Sequence, residues 1–118
     1  MLLRDWPGEV HFLGYEVGAS VMTGRQISRD STSIVGSAYR RFTGPGAGRE
    51  SWDPLTVLLA VPPSAPEELL FRLSEPGEVL VSATGTNSFQ PDPDGRHRYA
   101  IPTVGDDALT RAVDRHLT

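Results

Sequence analysis

Asp53 is the residue of this chain whose type and setting point most directly to chemistry. It lies in Gly-Arg-Glu-Ser-Trp-Asp-Pro-Leu-Thr-Val-Leu-Leu-Ala-Val, residues 48–61, where a Trp-Asp-Pro triplet opens the most apolar run of the chain. Two roles suit a carboxylate there. As an N-cap, with Pro54 in the first helical position, it accepts a backbone N–H. As a metal ligand it offers oxygen to a hard cation. The roles are compatible because a carboxylate has two oxygens and several acceptor sites. From the residues alone, capping takes precedence and ligation stays open beside it.

Other candidate groups carry less. Gly-Pro-Gly-Ala-Gly-Arg-Glu, residues 44–50, is glycine-rich but lacks the Lys-Ser/Thr of a phosphate-binding loop, so it reads as a connector. Pro-Asp-Pro-Asp-Gly, residues 91–95, starts as an EF-hand loop does, but the other ligands are missing and a hairpin turn is the better reading. His11, His97 and His116 lack the close spacing of zinc ligands and read as structural or surface residues. No Gly-x-Ser-x-Gly elbow occurs. In Tyr-Arg-Arg-Phe, residues 39–42, arginines near a helix end are already accounted for by the macrodipole.

The elements that must position these residues follow from periodicity and turn signals. Glu9–Tyr15 reads as a strand apolar on both faces, which suits an interior place in an α/β sheet. Ser28–Phe42 predicts a helix with Ile34, Val35, Ala38 and Phe42 on its apolar face, Asp30 or Ser31 as cap, and Gly36 as a weak point. The run after Asp53 predicts a helix apolar nearly all round, hence buried, stopped by Pro62, Pro63 and Pro66. Leu70–Leu73, Glu78–Ala83 and Arg96–Ile101 read as strands of an antiparallel ribbon separated by turns. Asp106 or Asp107 opens a last helix, Ala108–Leu117, with Leu109, Ala112, Val113 and Leu117 in one stripe.

The totals set outer limits. A chain of 118 residues suits one domain with little to spare in its core. Its 38% apolar and 22% charged content is that of a globular protein, and no run approaches a membrane span. No secretory leader is visible at Met-Leu-Leu-Arg-Asp-Trp-Pro, so the cytoplasm is the expected location. Without cysteine there is no disulfide or thiolate chemistry, and a net charge of -4 argues against a nucleic-acid partner.

Three segments in order carry a resemblance. Trp-Pro-Gly-Glu-Val-His-Phe-Leu-Gly-Tyr-Glu-Val-Gly-Ala-Ser-Val-Met-Thr-Gly (6–24), Arg-Glu-Ser-Trp-Asp-Pro-Leu-Thr-Val-Leu-Leu-Ala-Val (49–61), and the stretch from Leu73 to Pro102 with Gly-Thr-Asn-Ser-Phe-Gln-Pro-Asp-Pro-Asp-Gly-Arg-His-Arg-Tyr together resemble the C-terminal part of the inosine-uridine preferring nucleoside hydrolases, the nucleoside N-ribohydrolases. The likeness is to the subgroup in which Trp precedes the C-terminal calcium-binding Asp.

That resemblance implies an α/β fold: the C-terminal part of an open, mainly parallel nucleoside-hydrolase-type sheet, with a short antiparallel ribbon and a terminal helix. Residues 1–118 would form a single partial domain, the C-terminal third of such a fold. The implied parent activity is calcium-dependent hydrolysis of the bond between ribose and nucleobase, in which the ion holds ribose hydroxyls and lowers the pKa of the attacking water. Negative charge nearby would stabilise an oxocarbenium-like transition state. Asp53 matches a calcium ligand of the family, while Trp52 stands where better-known relatives carry a histidine proposed as general acid. An indole cannot fill that role, which leaves Trp52 as a residue that stacks on a base or packs.

The family's Asp-x-Asp-x-x-x-Asp-Asp segment and its ribose-binding asparagine and glutamate have no match here. The resemblance therefore implies no catalytic residue in this chain, a calcium ion that it would not hold tightly alone, and an inactive, truncated hydrolase. A nucleoside remains the substrate of the parent family. A complementing N-terminal chain, as in a split enzyme, or a homo-oligomer is an expected partner, and a non-catalytic interaction protein that keeps this lobe is the alternative.

Overall fold

The computed structural model describes residues 2–61 and 69–117. In chain order it contains α1 (Leu2–Asp5), β1 (Val10–Phe12), α2 (Tyr15–Ser20), β2 (Met22–Thr23), a 3-10 turn at Ile27–Arg29, α3 (Ile34–Thr43), β3 (Arg49–Glu50), α4 (Trp52–Ala60), β4 (Phe71–Leu73), β5 (Gly77–Val81), β6 (Asn87–Pro91), β7 (His97–Pro102) and α5 (Asp106–Asp114).

The fold is α/β with a mixed sheet. β7 is its pivot: Val10–Phe12 runs parallel to His97–Tyr99, and Phe71–Leu73 runs antiparallel to Ala100–Pro102. The described backbone ladder between β5 and β7 consists of Gly77 opposite His97, and β5 pairs antiparallel with β6 along its length. One described pair of the main sheet is parallel and the rest are antiparallel, which corrects the expectation of a mainly parallel sheet. β1 stands at the end of the order β1-β7-β5-β6, with alternating half-buried and exposed residues, so it is not the doubly buried interior strand expected from its sequence. The strand ends at Phe12, and the last residue of the expected strand, Tyr15, starts α2 after Gly14 supplies an extended N-cap backbone.

The ribbon has an unexpected crossing. Ser82 and Gly85 close the β5–β6 hairpin, Gly85 at φ +85°. The Asp92–Gly95 turn forms as expected, with Asp92 Oδ1 accepting the Asp94 N–H at 3.0 Å. It does not close a hairpin, because β5 lies between β6 and β7. The connection instead passes over the start of β5 so closely that a Cβ on Gly95 would sit 2.3 Å from the Gly77 carbonyl oxygen. Only glycine permits that approach.

The core joins Val17 and Val21, Leu55 from α4, Phe71 from β4, Ala100 from β7, and Leu109 and Val113 from α5. The terminal helix buries its expected stripe, with Leu117 partly buried against the same cluster. A second, polar spine runs beneath the two-stranded β2–β3 sheet: Thr23 Oγ1 and Ser51 Oγ lie 2.6 Å apart, both fully buried, and Ser51 donates to the Arg49 carbonyl. Such hydroxyls are tolerated in an interior because each finds a partner.

Two helices depart from their expected burial. In α3 the cap is Ser33, whose Oγ accepts the Gly36 N–H at 3.1 Å, and Asp30 closes a tight turn on Thr32 instead. The helix lies on the preceding 3-10 turn through Gly36, where a Cβ would come 2.4 Å from the Ile27 and Asp30 carbonyl oxygens. That contact turns Ile34, Val35, Ala38 and Phe42 outward, and Ile34 is 89% exposed. In α4 only Leu55 is buried, while Val57 is 61% exposed. Pro62, Pro63 and Pro66, expected to stop α4, lie outside the described residues, but Val61 is already extended, as a residue before proline prefers.

These outward apolar side chains go with a large surface. The accessible area is 8028 Å², against about 6,300 Å² for a compact protein of this mass.

Candidate functional site

α4 starts two residues earlier than expected. Ser51 is the N-cap, its side chain makes no capping bond, and Trp52, Asp53 and Pro54 fill the first turn. Asp53 is therefore not the cap. Its negative charge still complements the positive end of the helix dipole, and proline in the first turn gives up an N–H that has no partner inside the helix.

Trp52 is held from three sides. Its ring stacks on that of Tyr15 with centroids 5.2 Å apart and planes inclined by 28°. Its Nε1–H donates to the Tyr15 carbonyl at 2.8 Å. Behind it stands Gly18 of α2, whose Cβ, if present, would be 2.2 Å from Trp52 Cδ1 and 2.8 Å from Trp52 Cα. The Ser51 N–H donates to the Gly18 carbonyl, so α2 and α4 meet backbone to backbone. The Tyr15 ring is 74% exposed and the Trp52 ring half-buried, and Asp53, next in the chain, is exposed. Tyr15 is not among the site residues the sequence points to, because Leu-Gly-Tyr reads as the end of a strand. Gly14 between them was the available signal for a new start.

Asp53 has no side-chain hydrogen bond or ion pair among the described residues. Nor do three His, Asp or Glu side chains come together there to hold a metal, again among the described residues. One carboxylate offers two of the six to eight oxygens calcium takes. The described residues do not compose a calcium site by themselves.

The other sequence candidates fall into structural places. Arg40 of the Tyr-Arg-Arg-Phe stretch donates to the Ser28 and Arg29 carbonyls, and Phe42 lies under the Arg49 guanidinium at 4.1 Å. His11 hydrogen-bonds Glu9, and with Arg98 Nε at 3.0 Å it holds the Glu9 carboxyl below the usual glutamate range. Hydrogen bonds from Thr32 likewise hold the exposed Asp30 low. His116 is exposed, and His97 is buried. An open groove of about 650 Å³ lies away from Trp52 and Asp53, lined by Ile27, Asp30, Arg111, Asp114 and Leu117 among others. No described helix is long and apolar enough to cross a membrane.

Comparison of the chain with protein-family models, with curated proteins and with solved structures finds no match.

Proposed function

We propose that this chain is a nucleoside hydrolase-like lobe that supplies one arm of a calcium and nucleoside site and is inactive alone. The observation that carries the reading is the stack of the exposed Tyr15 on the half-buried Trp52, in the same first turn of α4 as the exposed Asp53. An aromatic face offers a nucleobase a stacking surface. A free carboxylate on a rigid helix start can join ligands supplied by another chain segment. The parent reaction is calcium-dependent cleavage of an N-glycosidic bond, with Asp53 as metal ligand and Trp52 as base-contacting residue. The missing carboxylates would come from a complementing N-terminal chain.

The expected result for the purified chain with calcium and inosine or uridine is no release of base and no calcium-dependent gain in melting temperature. Hydrolysis by the chain alone, or calcium binding tight enough to raise its melting temperature, would overturn the reading of an incomplete site.

The alternative, a non-catalytic interaction protein built on the same lobe, is favoured by a different observation. The outward face of α3 presents Ile34, Val35, Ala38 and Phe42 to solvent. Contiguous exposed apolar side chains commonly mark a binding surface. This reading expects a specific oligomer or partner whose formation is insensitive to calcium.

A further inference from the structure

His97 occupies a junction. The ladder between β5 and β7 stops after Gly77 pairs with His97, and β5 then follows β6. Two residues further along β5, the His97 side chain takes over the missing contact: the Val79 N–H donates to His97 Nδ1 at 2.9 Å. Glu78 Oε2 lies 3.0 Å from the same Nδ1.

These two contacts belong to different protonation states. An imidazole nitrogen has one in-plane position, holding either a lone pair that accepts or a proton that donates. In the neutral ring with its proton on Nε2, Nδ1 accepts from Val79. In the imidazolium, Nδ1–H donates to Glu78 and the Val79 N–H faces another N–H. The ring is 2% exposed, so water does not readily replace the lost partner.

Among the described residues, Glu78 is the acidic group in contact with the ring. From β1, Val10 stands opposite His97 and the Phe12 ring meets it edge-on with centroids 5.5 Å apart. Glu9 and His11 bond one another, and Glu9 also bonds Arg98 of β7. β6 carries no charged residue. Arg96 lines the same groove of about 430 Å³ as His97, Val79 and Leu3, and its backbone N–H donates to Glu78 Oε1. On α1, Asp5 is exposed.

We infer that His97 is a proton-operated latch that ties the β5–β6 ribbon to β7 when neutral and releases Val79 to engage Glu78 when protonated. The neutral ring closes the latch, and protonation of the ring opens it. Opening loosens the ribbon at the edge of the Leu3–Leu80 groove. The inference stands independently of the nucleoside site.

Nitrogen-detected NMR of the intact chain tests it. At pH 8 the expected tautomer is Nε2–H with unprotonated Nδ1, and Val79 shows a protected amide. Through the His97 titration the Val79 protection factor, corrected for intrinsic exchange at each pH, is expected to fall about tenfold, the worth of one hydrogen bond. In H97N, whose Oδ1 can accept from Val79 but cannot titrate, protection should be the same at pH 5 and pH 8. An Nδ1–H tautomer at pH 8, or Val79 protection unchanged through the titration, overturns the latch. A pH-dependent loss that persists in H97N overturns it as well.

Discussion

Trp52 Nε1 donates to the Tyr15 carbonyl at 2.8 Å while the two rings stack. The bond joins the first residue of α4 to the first residue of α2 and so fixes two helix starts against one another. Asp53, next in the chain, inherits a rigid position from a contact in which it takes no part. If Asp53 is the ligand proposed above, a position set this way would need little ordering when a cation or partner arrives.

Gly18→Ala tests that corner. The added methyl meets Trp52 Cδ1 at 2.2 Å and Trp52 Cα at 2.8 Å, and the second atom is backbone. The helices must part, at a cost of about 1–3 kcal/mol. Thermal unfolding should show a lower melting temperature, and tryptophan emission should shift. An unchanged melting temperature would mean that α2 and α4 do not pack through Gly18.

Leu55→Ala and Val57→Ala separate two pictures of α4. Leu55 is fully buried, and its truncation should cost about 2–5 kcal/mol. Val57 is 61% exposed, and its truncation should stay within about 0.5 kcal/mol. A helix buried all round would lose stability comparably at both positions, so chemical denaturation of the two variants decides between them.

Ile34→Ala carries the same logic to α3. At 89% exposure the change should leave stability within about 0.5 kcal/mol. Should the face bind a partner or a second copy, size-exclusion chromatography would record the loss of the larger species without a loss of fold. A large drop in stability would instead place Ile34 in a core.

Glu9 provides the pH dependence. His11 and Arg98 stabilise its carboxylate, so its folded pKa lies below that of the unfolded chain. Stability from this group is fully present above the ordinary glutamate range, around 4.3, and is lost as pH falls through the lower folded value. Carboxyl-carbon NMR should place the Glu9 midpoint below that range in the parent chain and higher in His11→Ala. A midpoint unmoved by that substitution would remove His11 as the cause.

Much of the secondary structure was legible because local signals agreed. Leu109, Ala112 and Val113 recur at helical spacing and are buried together, and Asp92–Gly95 forms its turn. What was not legible depended on tertiary contacts. Ile34, Val35 and Phe42 have the pattern of a core face, but the close seat of Gly36 on the Ile27 and Asp30 carbonyls turns that face to solvent. The β5 strand inserts between β6 and β7, which no spacing of turns reveals. Asp53 and Trp52 were visible as an unusual pair, while Tyr15 became part of the site only when the chain turned at Gly14.

The most direct test of the central proposal is reconstitution. The chain is mixed with a separately expressed nucleoside hydrolase N-terminal segment carrying Asp-x-Asp-x-x-x-Asp-Asp, and base release from inosine and uridine is followed with calcium present. The account predicts turnover in the mixture and in neither component alone. It also predicts that Asp53→Asn lowers that turnover by at least about 10–100-fold, the loss already caused by removing an outer-shell partner of a metal ligand. A mixture that stays inactive, or one whose activity is indifferent to Asp53→Asn, would contradict it.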